Sequence, residues 1–235
     1  MIIFDLETRS RELPDNLIEY RRKTLNFKDL KTGNLKDPVK IAEKAREVEE
    51  YNIQLAKDMT RMDAADIDYA EIIASGIKED GSSAKVMIGP TATEEKIVER
   101  TIGVLAENRG PIVGFNIIGF DIPLIKRAAV RYGIKIPAYI FARDNVLDLM
   151  ELMKENYKTD IKRQMIYAMI YGFDLDVNLA NSAEVPERWA NGDIAWIKNH
   201  LIQDLEMSDF LFNKFKNAQL IPEKYYGVYW NCKVW

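Results

Sequence analysis

Asp5 and Glu7 stand two residues apart behind the apolar run Ile2-Ile3-Phe4, and alternation along a strand sends both side chains to one face. Two carboxylates that close repel each other when ionised. A shared Mg²⁺ or Mn²⁺, a hard cation that takes oxygen ligands, relieves the repulsion. A solvated strand end explains such a pair as well, so its meaning depends on the rest of the chain. Asp121 comes after Gly114-Phe115-Asn116-Ile117-Ile118-Gly119-Phe120, where a buried strand passes into a helix. Strand ends in open α/β sheets gather ligands, although a carboxylate there also answers a helix dipole. Asp204 lies inside the last long helix, and His200, the only histidine, is four residues earlier on the same face. An imidazole with an ordinary pKa near about 6.5 is suited to take a proton from water at neutral pH if Asp204 holds an ion.

These groups need a scaffold that brings residues 5, 121 and 204 together. The first seven residues predict a short apolar strand. Asp37-Pro38 reads as a turn opening a helix over about 38–62, where Ile41, Ala45, Val48, Ile53, Leu55 and Met59 recur at near-helical spacing. Glu71–Lys78 and Ala84–Ile88 predict two strands joined by Glu79-Asp80-Gly81-Ser82. Thr91-Ala92-Thr93-Glu94 fits a capping box opening a helix that runs to about Asn108. Ile112–Asn116 predicts a buried strand, Phe120–Tyr132 a helix ended by Gly133, and Val146-Leu147-Asp148 a short strand or turn before two helical stretches near 148–172. A long helix from Gly192 or Asp193 to Asn217 closes the series. Alternating strands and helices indicate an α/β domain. The polar, basic stretch 9–62 reads as an insertion in a single domain of 235 residues.

Composition restricts the class further. The chain is 47% hydrophobic and 30% charged, as ordinary globular proteins are. No apolar run approaches the roughly 18 residues of a membrane span, and no basic stretch precedes an apolar segment at the N-terminus. The expected location is the cytoplasm. Cys232 is the sole cysteine, which excludes an intrachain disulfide and a thiolate zinc cluster. A net charge of −4 carries no overall nucleic-acid signature, but carboxylates that bind metal ions count as negative in such a sum. Met150, Met153, Met165 and Met169 read as core filler. The aromatics Tyr225, Tyr226, Tyr229, Trp230 and Trp235 either dock the C-terminal tail or stack on bases.

Taken in order, the segments resemble the DEDD superfamily of 3′→5′ exonucleases, which have a ribonuclease H-like fold. Phe4-Asp5-Leu6-Glu7-Thr8 resembles the first exonuclease motif. Gly114–Pro123 is similar to the second motif of the proofreading domain in family B DNA polymerases, and His200-Leu201-Ile202-Gln203-Asp204 falls where the third belongs. The small size resembles free-standing exonucleases encoded by bacteriophages, which would place the protein in a host cytoplasm. The resemblance implies a mixed central sheet flanked by helices, and Asp5, Glu7, Asp121 and Asp204 as ligands of two Mg²⁺ or Mn²⁺ ions. It puts Leu6 and Thr8 beside the 3′-terminal nucleotide, Asn116 and Phe120 along the strand's path, and at position 200 a group that orients or deprotonates the attacking water. The implied substrate is single-stranded DNA or a frayed 3′ end, hydrolysed to nucleoside 5′-monophosphates, with a separate polymerase or replication protein as a further partner and no membrane.

The third motif departs from the family pattern. The tyrosine branch carries Tyr four residues before the last Asp and the histidine branch His five before it; here His200 has the tyrosine spacing and Asn199 the histidine spacing. Four residues turn a helix by about 400° and five by about 500°, so His200 is nearer the direction of Asp204. Asn199 cannot act as a base. Arg21, Arg22 and Lys23, in the basic stretch, are the candidate backbone contacts, against the alternative of a solvated insertion. An exoribonuclease on the same fold and a single-strand-binding module without catalysis stand as competing readings.

Overall fold

The computed structural model describes residues 1–24, 27–33, 35–154 and 163–225, the side chains of 21–24 and 56–62 excepted. Five strands form one sheet in the order β3-β2-β1-β4-β5. They are β1 (Ile2–Ser10), β2 (Ala70–Glu79), β3 (Lys85–Ile88), β4 (Ile112–Gly114) and β5 (Val146–Asp148). β1 is antiparallel to β2 and parallel to β4, and β5 continues the parallel half. The expected α/β architecture, a mixed sheet flanked by helices, is what the chain adopts.

β1 is central, so it is covered on both faces, and its alternation decides what each face receives. Ile2, Phe4 and Leu6 enter a core with Ile97, Val98, Ile102 and Leu105 of α3 (Glu94–Glu107) and Leu124, Ile125 and Ala128 of α4 (Asp121–Tyr132). Ile3 points the other way, into a core with Leu205, Leu211, Phe212 and Phe215 of α8 (Ile194–Asn217). Asp5 and Glu7 have the parity of Ile3, so the strand turns them toward α8. Each helix covers the sheet because its apolar residues recur on one side, which removes that surface from water.

Between β1 and β2 the chain makes α1 (Asp15–Thr24) and α2 (Pro38–Ala64). β1 runs to Ser10, paired with Ala70, so the expected seven-residue strand is longer and residues 9 and 10 belong to the sheet. Among the described residues the remaining α-helices are α5 (Leu149–Leu152), α6 (Gln164–Ile170) and α7 (Val185–Ala190). No helix among the described residues is long and apolar enough to cross a membrane.

Two local expectations are corrected. The capping box would have made Thr91 the cap and Glu94 its reciprocal partner; instead Thr93 caps α3, its hydroxyl accepting from Lys96 N, and Glu94 is the first helical residue. The Glu94 carboxylate turns inward, where it accepts from Arg11, Arg131, Tyr132 and the Ile72 amide. Four donors offset its burial, an outcome worth more than one helix-end contact. Among the four methionines read as core filler, Met169 is 41% exposed, because α6 covers the core only through its other face.

Candidate metal centre

Asp5, Glu7, Asp121 and Asp204 line one cleft of about 370 Å³ at the carboxyl ends of the parallel strands. Leu6, Thr8, Asn116 and Phe120 line it too. Residues far apart in the sequence meet because three elements converge. β1 carries Asp5 and Glu7, the start of α4 carries Asp121, and the middle of α8 carries Asp204.

Asp121 is held by specific local structure. Asp121 Oδ1 accepts the Leu6 amide at 3.0 Å, which ties α4 to β1. Asp121 sits on the turn from β4, and that turn depends on Gly114: a Cβ there would lie 2.3 Å from Ile117 Cγ2 and 2.8 Å from the Phe4 carbonyl. Asn116 takes φ 63°, a left-handed conformation that asparagine tolerates better than most residues. Asp148, at the end of β5, then clamps the turn by accepting the Asn116 amide at 2.8 Å and the Ile118 amide at 3.0 Å. Sequence reasoning missed Asp148 as a functional group. The available signal was a carboxylate closing the buried strand Val146-Leu147-Asp148, the same position on a strand that made Asp5 informative.

The electrostatics are those of a cation site. Burial, then the charge of Asp204, raises the Asp5 carboxyl to about 8 against the pull of His200 and the Leu6 amide. Burial and the charges of Asp5, Asp204 and Asp121 hold Glu7 well above the usual carboxylate range. Burial and Asp5 do the same for Asp121. Burial alone takes Asp204 to about 7. Oxygen donors crowded together at such a cost suit a hard divalent ion, which favours their charged forms. The residues present therefore fit a divalent metal ion.

His200 is 1% exposed, although a lone helical histidine is ordinarily a surface residue. Its ring stacks on Trp196 with centroids 5.1 Å apart, and Nδ1 contacts the Leu179 carbonyl. Nε2 points toward Glu7 Oε1 at 3.3 Å and Asp204 Oδ2 at 3.6 Å. Burial lowers its pKa.

The basic stretch divides. Arg9 pairs with Glu71 at 2.9 Å and lies over the Trp189 ring, while Arg11 binds Glu94, so both are committed to the protein itself. The side chains of Arg21, Arg22 and Lys23 lie outside the described residues, as do Tyr226, Tyr229, Trp230 and Trp235. Tyr225, the first of the tail aromatics, is buried beside Phe212 and Phe215, with its hydroxyl donating to the Val146 carbonyl. Arg163, which sequence reasoning also missed, is the cation among the described lining residues of the cleft. It caps α6 from a loop, and its only sequence signal was a basic residue before a short helix.

No curated protein matches the chain. Its fold is similar to that of the family B DNA polymerase from the hyperthermophilic archaeon Pyrobaculum calidifontis, with a TM-score of 0.54 and 15% identity over 66% of this chain. The likeness covers 23% of that polymerase and shows a ribonuclease H-like fold. Residues 67–225 match the family model described as a predicted 3′-5′ exonuclease related to the exonuclease domain of PolB, and the chain belongs to that family.

Proposed function

We propose that the protein is a metal-dependent 3′→5′ exonuclease that shortens single-stranded DNA, or a frayed 3′ end, and releases nucleoside 5′-monophosphates. The observation that carries this reading is the meeting of Asp5, Glu7, Asp121 and Asp204 in one cleft of a chain from an exonuclease family. The four carboxylates would hold two Mg²⁺ or Mn²⁺ ions. Such ions, when bound, make water a stronger nucleophile at neutral pH and stabilise charge on the leaving 3′ oxygen.

The chain's own groups do the rest. Leu6, Thr8 and Phe120 offer a surface for the terminal sugar and base, while Asn116 and Ser182 offer polar contacts beside it. Thr8 is itself anchored, its hydroxyl donating to the Ala64 carbonyl at the end of α2. Arg163 supplies positive charge for a phosphate next to the acidic cluster. A 3′ end entering the cleft would do so as a single extended strand, with its terminal base out of the stack before hydrolysis. Arg21, Arg22 and Lys23 would contact the backbone further out.

The test uses end-labelled single-stranded DNA with Mg²⁺ or Mn²⁺, comparing wild type with Asp5→Ala and running a matched RNA oligonucleotide in parallel. Stepwise shortening of DNA from the 3′ end, lost in the variant, is the expected result. Internal cuts would make the protein an endonuclease on this fold. Preferential loss of RNA would make it an exoribonuclease, and binding without cleavage would leave a strand-binding module.

A further inference from the structure

We infer that His200 Nε2 is itself an ion ligand, joining Glu7 and Asp204 in one site, and that the cleft therefore favours nitrogen-accepting ions such as Zn²⁺ or Co²⁺ over Mg²⁺. The inference rests on the proposed metal centre and extends it to a ligand and an ion class that carboxylates alone would not specify.

The ring is oriented by its far nitrogen. A carbonyl oxygen only accepts, so the contact between Nδ1 and the Leu179 carbonyl puts the proton on Nδ1. In the neutral ring, Nε2 then presents its lone pair. Stacking on Trp196 keeps the plane from swinging away. An imidazole whose far nitrogen donates to a backbone carbonyl is the arrangement by which proteins orient a metal-binding histidine.

Nε2 is buried and has no hydrogen-bond partner among the described residues, and carboxylate oxygens of Glu7 and Asp204 face it. Three electron-pair donors pointing at one space are mutually repulsive unless something positive sits between them. The spacing suits a single ion. Bonds of about 2.1 Å in tetrahedral array separate neighbouring donors by about 3.4 Å, and the observed separations from Nε2 are 3.3 and 3.6 Å. The three donor atoms all lie within 4.8 Å of one another.

The choice of ion follows from the donor. Mg²⁺ prefers oxygen and sheds water reluctantly, whereas Zn²⁺ and the later first-row transition ions take imidazole readily. A nitrogen engaged in a bond to the ion is also not free to collect a proton from water. The role is thus distinct from that of a general base.

The experiment uses the full chain without an affinity tag, labelled with ¹⁵N-histidine, so that the single histidine gives one pair of ring signals. Zn²⁺ alone is titrated while calorimetry follows Zn²⁺, Co²⁺ and Mg²⁺ binding. The expected result is a shifted, metal-bound Nε2 signal at saturation with the Nδ1 proton retained. In His200→Gln, Zn²⁺ and Co²⁺ affinity should fall by at least about tenfold, and Mg²⁺ affinity by much less. An unshifted Nε2 at Zn²⁺ saturation, protons on both ring nitrogens, equal losses for all three ions, or no Zn²⁺ binding would each overturn the inference. If the variant fails to fold by circular dichroism, the wild-type spectrum decides alone. Stepwise 3′ shortening with Mg²⁺ alongside a silent Nε2 would remove the histidine ligand and leave the exonuclease; a metal-bound Nε2 without any shortening would do the reverse.

Discussion

A methyl group on Gly76 would lie 2.7 Å from Leu205 Cδ1 and 2.9 Å from Leu201 Cγ. Gly76 is the ladder partner of Asp5, so the bare backbone opposite the first carboxylate is what lets α8 settle low enough to deliver Asp204. Leu201 and Leu205 are fully buried and have little room to retreat. Gly76→Ala should cost about 1–3 kcal/mol through overpacking and lower turnover by lifting α8. Urea unfolding with an unchanged slope and a reduced midpoint would check the first effect. An unchanged midpoint would mean that α8 yields without strain.

The raised carboxyl groups set a direction for pH dependence in the metal-free protein. Asp5 at about 8 and Asp204 at about 7 bind protons in the folded state that they release when unfolded. Glu7 and Asp121 are shifted the same way. Their contribution is full below the ordinary carboxylate range and is lost as pH rises toward 8. His200, shifted down by burial, opposes this as a single group. The melting temperature without metal should therefore fall between about pH 5 and 8, and Mn²⁺ should restore it most at the high end. Differential scanning fluorimetry across that range with EDTA or Mn²⁺ provides the measurement.

Charge removal should separate activity from stability. Glu7→Gln keeps the shape of a side chain that is 6% exposed and removes its charge. At pH 8 without metal the variant should melt higher than wild type, since like charges no longer crowd the cleft. It should also lose most of its nuclease activity. A lower melting temperature in EDTA would contradict the repulsion.

Asp148 acts at a distance from any scissile bond. Its carboxylate accepts from Asn116, Ile118 and Met150 amides, and Asp148→Ala would leave these donors without their partner. The expected loss is about 1–3 kcal/mol of stability, with a fall in activity as the turn carrying Asp121 loosens. Asp148→Asn, which keeps one acceptor oxygen, should recover part of both.

The basic residues should divide by function. Arg11→Ala is predicted to destabilise by about 2 kcal/mol, because a charge-assisted pair with the buried Glu94 disappears. The triple change Arg21→Ala, Arg22→Ala and Lys23→Ala should leave the melting temperature near wild type and raise KM at moderate salt. It should also flatten the salt dependence of binding. An unchanged KM would exclude these three from the strand's path.

Periodicity along the chain was enough to determine most of the elements, though not α1, α7 or the extension of β1 to Ser10. The strand beginning at Ile2, the helix carrying the repeat from Ile41 to Met59, and the helix stop at Gly133 all reappear in the structure. Local geometry dictates such features, so residue order alone expresses them. The sequence also contained the four carboxylates in order, and strand parity already put Asp5 and Glu7 on one face. It left open everything that depends on which surfaces meet. The inward turn of Glu94 toward Arg11, the pairing of Arg9 with Glu71, and the clamp of Asp148 on the Asn116 amide each join residues more than thirty positions apart. His200 shows the difference most sharply. Its spacing from Asp204 was legible, but whether Nε2 would face water or two carboxylates depended on how closely α8 packs on the sheet. That distance is set by the absence of a side chain at Gly76, on a strand more than a hundred residues away.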